Sequence, residues 1–159
     1  MYRVLMLLAF FSIVASAWLA GTQPTSVTAQ AAVKPLPTPE KALYSSYKGI
    51  GIGSAMADVR AKLGNAKEAS DAQDYYIVSD SEFVQVYYDP AKTVRAISIT
   101  FTGKLESAPT AKAVFGEEVE LNAEGGAFKL VRYPKAGYFI SYTKAGGSDQ
   151  MVMIAIQKM

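Results

Sequence analysis

The chain has 159 residues and half of them are hydrophobic, enough for one compact core or two very small ones. Lysine and arginine number 16 against 14 acidic residues, a net charge of +2, and no basic block of the kind nucleic-acid binding requires stands out. Neither cysteine nor histidine occurs, which excludes disulfides, thiol and Ser–His catalysis, a lipid-bearing cysteine, and almost all zinc or copper sites.

The first functional signal is at the N-terminus. Arg3 precedes the nearly all-apolar run Val4 to Ala20, VLMLLAFFSIVASAWLA. Ala15-Ser16-Ala17 fits the small-x-small pattern read by signal peptidase, and Ala29-Gln30-Ala31 offers a later site. The run sits at the lower limit for spanning a bilayer. Residues 1–20 are therefore expected to be a signal peptide, with an uncleaved anchor as the other reading. Either makes the protein exported: periplasmic or secreted, with membrane contact only through that anchor. Residues 21–42 are rich in Pro, Thr and Ala. Pro24, Pro35, Pro37 and Pro39 lack amide donors and favour extended backbone, so this stretch reads as a linker.

The folded part is expected over 43–159. It opens on YKGIGIGSAMADVRAKLG, Tyr47 to Gly64. A dinucleotide loop needs G-x-G-x-x-G, but counting from Gly49 the third glycine falls on Ser54, and from Gly51 it falls on Met56. The run is better read as a helix entry. Ser54 can cap the first turn, Asp58 complements the dipole, Met56, Val59 and Leu63 share a face, and Gly64 follows as the stop.

Three strand-like runs come next, DYYIVS (Asp74 to Ser79), EFVQVYYD (Glu82 to Asp89) and VRAISITFT (Val94 to Thr102), with turns short enough for antiparallel hairpins. Period-two alternation assigns Val84, Val86 and Tyr88, then Ile97, Ile99 and Phe101, to the core. The pattern recurs. PTAKAVFG resembles the first helix end, and AFKLVRY, GYFISYTK and QMVMIAIQK follow, with Tyr138, Ile140 and Tyr142, then Val152, Ile154 and Ile156, facing inward. Leu63 would match Phe115, and Ile99 would match Ile154. The expectation is an α+β fold: short helices packed on one face of an antiparallel sheet, in two tandem helix–three-strand units, 43–103 and 104–159. Chance likeness of two hairpin sheets is the other account.

Such a sheet leaves one face free. Phe83, Gln85 and Tyr87, Phe139 and Ser141, and Met151 and Met153 would lie on it. Aromatic and methionine side chains in one patch point to a protein-binding surface formed by Phe83, Tyr87, Phe139, Met151 and Met153. A loop, the Pro-rich arm or a dimer mate could equally cover them.

Other motifs are weak. Ser45-Ser46-Tyr47-Lys48 matches S-x-x-K, but the K-T-G strand that this acyl-enzyme chemistry needs does not occur. Asp71, Asp74, Asp80, Glu82 and Asp89 form an acidic stretch without a calcium-loop pattern, and read as turn residues and solubilising strand ends. No metal, cofactor or catalytic residue is expected.

Gly53-Ser54, Val59, Leu63-Gly64, Tyr87-Tyr88-Asp89 and Val94 to Ile97 together resemble the BamE/SmpA-type domain of small outer-membrane assembly lipoproteins. The duplicated form resembles the tandem fold of β-lactamase-inhibitory proteins, which set the aromatics of a concave sheet against an enzyme. Ala66 stands where the family has proline, and the lipobox cysteine is missing. The resemblance implies a non-enzymatic envelope protein that binds another envelope or secreted protein, or a secreted inhibitor of a hydrolase. Mass spectrometry of the exported protein is expected to show a chain starting near Trp18 or Ala32, whereas an intact Met1 there would mean an anchor.

Overall fold

The computed structural model describes residues 42–159. The expected leader over 1–20 and the linker over 21–42, apart from Ala42, lie outside the described residues. Ala42 itself is buried, with its amide 3.4 Å from the Tyr138 hydroxyl, so the ordered body already includes it.

Two short helices and seven strands follow in the order α1 (Met56–Leu63), β1 (Glu68–Ala69), β2 (Gln73–Ser79), β3 (Glu82–Tyr88), β4 (Val94–Thr102), α2 (Ala111–Phe115), β5 (Ala127–Tyr133), β6 (Tyr138–Ala145) and β7 (Met151–Lys158). The strands form one antiparallel sheet in the order β1-β2-β3-β4-β7-β6-β5. Hairpins link β2 to β3 to β4 and β5 to β6 to β7, and the last strand of each run meets the other at the centre. There Ile97 faces Ile156 and Ile99 faces Ile154.

One face of the sheet carries the core. Val84, Val86, Tyr88, Ile97, Ile99, Phe101, Tyr138, Ile140, Tyr142, Val152, Ile154 and Ile156 are all buried, as the alternation required. Val59 and Met56 of α1, with Val114 and Ala111 of α2, close over them in the same cluster. Each fully buried Val or Ile adds about 1.5–3 kcal/mol relative to exposure, so the isoleucine-rich β4–β7 seam is a large contributor to the apolar stabilisation.

The fold is mostly β, a single open sheet with two short helices, rather than two α+β units. The expected division into 43–103 and 104–159 is not set off in it. The first run of strands has an extra strand, β1, and a polar cluster that the second run lacks. The α1 cap also differs from expectation. Ser54 is not the cap: its hydroxyl accepts from the Gly51 amide at 3.1 Å, and Ala55 takes the N-cap position without a side-chain bond. The first helical amide, Met56, donates instead to the Lys92 carbonyl of the β3–β4 turn at 2.9 Å. A neighbouring turn thus satisfies a donor that local sequence assigned to a hydroxyl. Thr110 is a true cap, accepting from the Ala113 amide at the start of α2. Gly64 ends α1 at φ 78° and ψ −147°, a region essentially confined to glycine.

The polar cluster overturns the reading of Asp74 as a solubilising charge. Its carboxylate is fully buried on the inward face of β2. Arg60 of α1 grips it with both arms of its guanidinium, Nε to Oδ2 at 2.9 Å and Nη2 to Oδ1 at 2.8 Å. Tyr88 and Tyr76 donate to Oδ2 at 2.7 and 3.1 Å. Arg60 also reaches the Ser70 carbonyl at 2.9 Å, tying in the loop before β2. Burial alone would raise the carboxyl, but the bonds from Arg60 and Tyr88, with the Arg60 charge and Tyr76, outweigh it and hold it below its usual range. Burial and the adjoining carboxylate push Tyr76 up to about 12, and Tyr88 higher still.

Asp74→Asn is expected to lose about 3 kcal/mol, because buried donors are left facing a neutral amide. The sign of the pH effect follows from the lowered carboxyl. Its contribution is complete above the unfolded value of about 4 and fades as pH falls through the folded one. The two raised phenols hold their contribution below about pH 10 and lose it above. Thermal melts across pH are therefore expected to fall off at both ends, with a shallower acid limb in Asp74→Asn, where the lowered Asp89 still contributes.

Candidate functional site

The glycine run folds as a hairpin turn. Tyr47 and Ile50 exchange both backbone hydrogen bonds at 2.8 Å, with Lys48 and Gly49 at φ 47° and 74° between them, the signature of a two-residue turn with both centres left-handed. The Lys62 ammonium bonds the Gly49 carbonyl at 2.7 Å, and Gly53 and Ser54 are laced to Val94 of β4. The S-x-x-K motif also dissolves, since Lys48 lies over the Tyr47 ring, 5.4 Å from its centroid.

The acidic stretch separates into unrelated parts. Asp89 receives the Thr93 amide at 3.0 Å and its hydroxyl at 2.8 Å, which closes the β3–β4 turn. Asp71 pairs with Lys92 at the surface. Glu82 accepts from the Tyr47 hydroxyl at 2.5 Å, and burial with that bond raises the Tyr47 phenol well above its ordinary value. Among the described residues no cluster of acidic side chains could hold a metal ion. Nor, among them, is any helix long and apolar enough to cross a membrane.

The sheet face opposite the core is where the structure gathers the expected residues. Strand register sorts its side chains into three rows that cross six strands. One row runs Ile77, Phe83, Thr100, Met153, Thr143, Phe128. The next runs Tyr75, Gln85, Ser98, Ala155, Ser141, Leu130. The third runs Gln73, Tyr87, Ala96, Gln157, Phe139, Arg132. Met151 sits beyond the first row, between Thr102 and Ala145.

All five expected residues, Phe83, Tyr87, Phe139, Met151 and Met153, are on this face, and each is half-buried by its neighbours. Phe83 and Met153 are separated by Thr100 alone. Tyr87 and Phe139 stand three strands apart, about 14 Å at ordinary strand spacing. In the middle row small side chains, Ser98, Ala155 and Ser141, lie between the larger flanks. A shallow depression over β2, β3 and β4 is lined by Tyr75, Phe83, Gln85, Ser98 and Thr100. The Tyr87 hydroxyl is turned onto Gln85 at 3.0 Å.

Four large apolar or aromatic members of the face lie beyond those expected from sequence: Tyr75, Ile77, Phe128 and Leu130. Ile77 and Phe128 are its most exposed large side chains, at 52% and 65%. Alternation within YYIV and AFKLVRY carried the signal, since Tyr76 and Tyr133 point inward. The rows contain no carboxylate, and their one basic residue, Arg132, is at the margin. Rings, methyls, hydroxyls and amides are what a mostly dry contact with a few hydrogen bonds uses.

These features define a mostly β protein with an open seven-stranded antiparallel sheet, helices on one face and a broad uncharged surface on the other. No protein-family profile and no curated protein matches the chain. Among solved structures it is similar to the crystal structure of a DUF4309 family protein, YjgB, from Bacillus subtilis, with 15% identity and a TM-score of 0.46 over 70% of this chain and 84% of that one. That neighbour is not a BamE/SmpA-type domain, and the resemblance to that family, with its β-lactamase-inhibitory form, is corrected accordingly. The residues that carried it have local causes: Gly64 ends a helix, Tyr88 serves Asp74, and Asp89 closes a turn.

Gly49→Ala is expected to cost about 1 kcal/mol, the penalty of a side chain in the left-handed region. Nucleoside triphosphate or dinucleotide should leave the melting temperature of the unaltered protein unchanged, and a saturable shift would restore the glycine run as a ligand loop.

Proposed function

We propose that the chain is an exported protein that binds another envelope or secreted protein through the open face of its sheet, without catalysing a reaction. One observation carries this reading: three continuous rows of half-buried and exposed side chains, aromatic at the flanks, small at the centre and free of carboxylates. Their footprint is roughly 25 by 15 Å, the scale of a small protein–protein patch. Charge is kept to the margins, where Arg132 lies, and to one end, where Asp89, Arg95 and Lys158 surround a second depression. A dry centre with a charged rim is the usual build of an interface.

Export is supported by the apolar run over 1–20 and its cleavage triplets. A binding rather than catalytic role is supported by a chain without histidine or cysteine, and by the chemistry of the face. The inhibitor reading drew on the tandem-inhibitor resemblance and goes no further than it. We also propose a duplicated origin for the two strand runs, a reading supported by the sheet order, in which β2-β3-β4 is mirrored by β7-β6-β5.

The test is retention of a partner from native envelope extract on the immobilised protein, compared with a variant carrying Tyr87→Ser and Phe139→Ser. Both side chains lie outside the core, so the melting temperature should change little. Binding should weaken about tenfold or more, where each tenfold corresponds to about 1.4 kcal/mol. Retention at full affinity by the double variant would place the contact elsewhere on the molecule.

A further inference from the structure

The two edges of the sheet are finished differently. β1 is two residues long, Glu68–Ala69, and a short charged edge offers little to a passing strand. β5 is the full seven-residue strand AFKLVRY, with no proline and an unbroken register against β6. Among the described residues no backbone group of 127–132 bonds outside the β5–β6 ladder, so the outer N–H and C=O groups of this strand are open. Phe128 and Leu130 stand exposed beside them. An edge of this length, whose one lysine is held by Glu117, is a template for adding a strand.

We infer that β5 pairs antiparallel with β5 of a second copy, about a two-fold axis through Leu130. The strand's own sequence selects that occupant and that register. With Leu130 opposite Leu130, Phe128 faces Arg132, Lys129 faces Val131, and Ala127 faces Tyr133. Every residue of the strand is then paired and no like charges meet. Arg132 is brought to an aromatic ring, a favourable cation–π partner. Lys129 is already neutralised within its own chain by Glu117 at 2.6 Å. The neighbouring registers fail. Centring on Lys129 pairs only residues 127–131 with one another and sets Arg132 and Tyr133 against glycines outside the strand. Centring on Val131 brings Pro134, which has no N–H to give, against Phe128. A two-fold axis normal to the sheet keeps each face on its own side. The two open faces would then join into one surface twice as wide, with Phe128 and Leu130 at its middle.

The experiment is sedimentation of the exported protein over a range of concentrations. The unaltered chain is expected to dimerise. Leu130→Lys and Leu130→Glu should each weaken the dimer at least about tenfold, since each sets like charges against one another. Mixing the two variants should restore a one-to-one dimer. Because the chain has no cysteine of its own, Leu130→Cys should cross-link to itself under mild oxidation, and Ile77→Cys near the far edge should not. That readout decides the matter if the charged variants fold poorly. A wild-type monomer at every concentration would overturn the proposal. So would a dimer that Leu130→Lys leaves intact, or one broken instead by Tyr87→Ser with Phe139→Ser, which would mean stacking through the open faces.

Discussion

A buried carboxylate with four donors is the constraint on which one half of this molecule is arranged. Asp74 cannot sit in the core as an isolated charge, because the desolvation cost would either expel or neutralise it. Arg60 can reach it only if α1 lies across β2, and Tyr88 and Tyr76 can reach it only if β2 and β3 hold their observed register. A one-residue slip of β2 would put Asp74 on the open face and strand the two hydroxyls. Apolar packing makes this half stable, while the Asp74 cluster selects which of several apolar packings is adopted. Arg60 keeps its outer edge in water, so its own desolvation is modest and most of the burial cost falls on the carboxylate.

The other half has no such device and depends on the β4–β7 seam. There isoleucines pair across the junction of the two strand runs, and on the α2 side Phe115 meets Tyr142 edge-on. Shape, rather than a polar key, fixes the contact. Both helices and the Tyr47 turn lie over the inward face, so the apolar cover among the described residues is spent on one side of the sheet. Among the described residues the opposite face has no such cover, since two helices of eight and five residues cannot wrap both sides.

That asymmetry leads from fold to proposed role. A sheet covered on one side only must either turn polar on the other or meet a partner there. This face does neither fully. It mixes serine, threonine and glutamine with phenylalanine, tyrosine and methionine, a composition that tolerates water and still gains by being covered. The open β5 edge extends the same logic from side chains to backbone, since its groups are satisfied by water when free and by a strand when paired.

The sequence by itself determined six of the seven strands, their hairpin order and which side of each faces the core, because alternation at period two is written residue by residue into β3, β4, β6 and β7; the two-residue β1 is too short to carry such a pattern. It also determined that Phe83, Tyr87, Phe139, Met151 and Met153 share the outer face. Tertiary structure alone decided three things. It decided that β4 meets β7, so that the strands close into one sheet, since pairing partners distant in the chain leave no local mark. It decided that the Lys92 carbonyl rather than the Ser54 hydroxyl serves the helix start, since a cap supplied by another segment is invisible to a local pattern. And it decided that Asp74 is buried while Asp71 and Asp80 are exposed. The three aspartates differ only in which neighbours the fold brings within hydrogen-bonding reach, and that is set by packing, not by residue type.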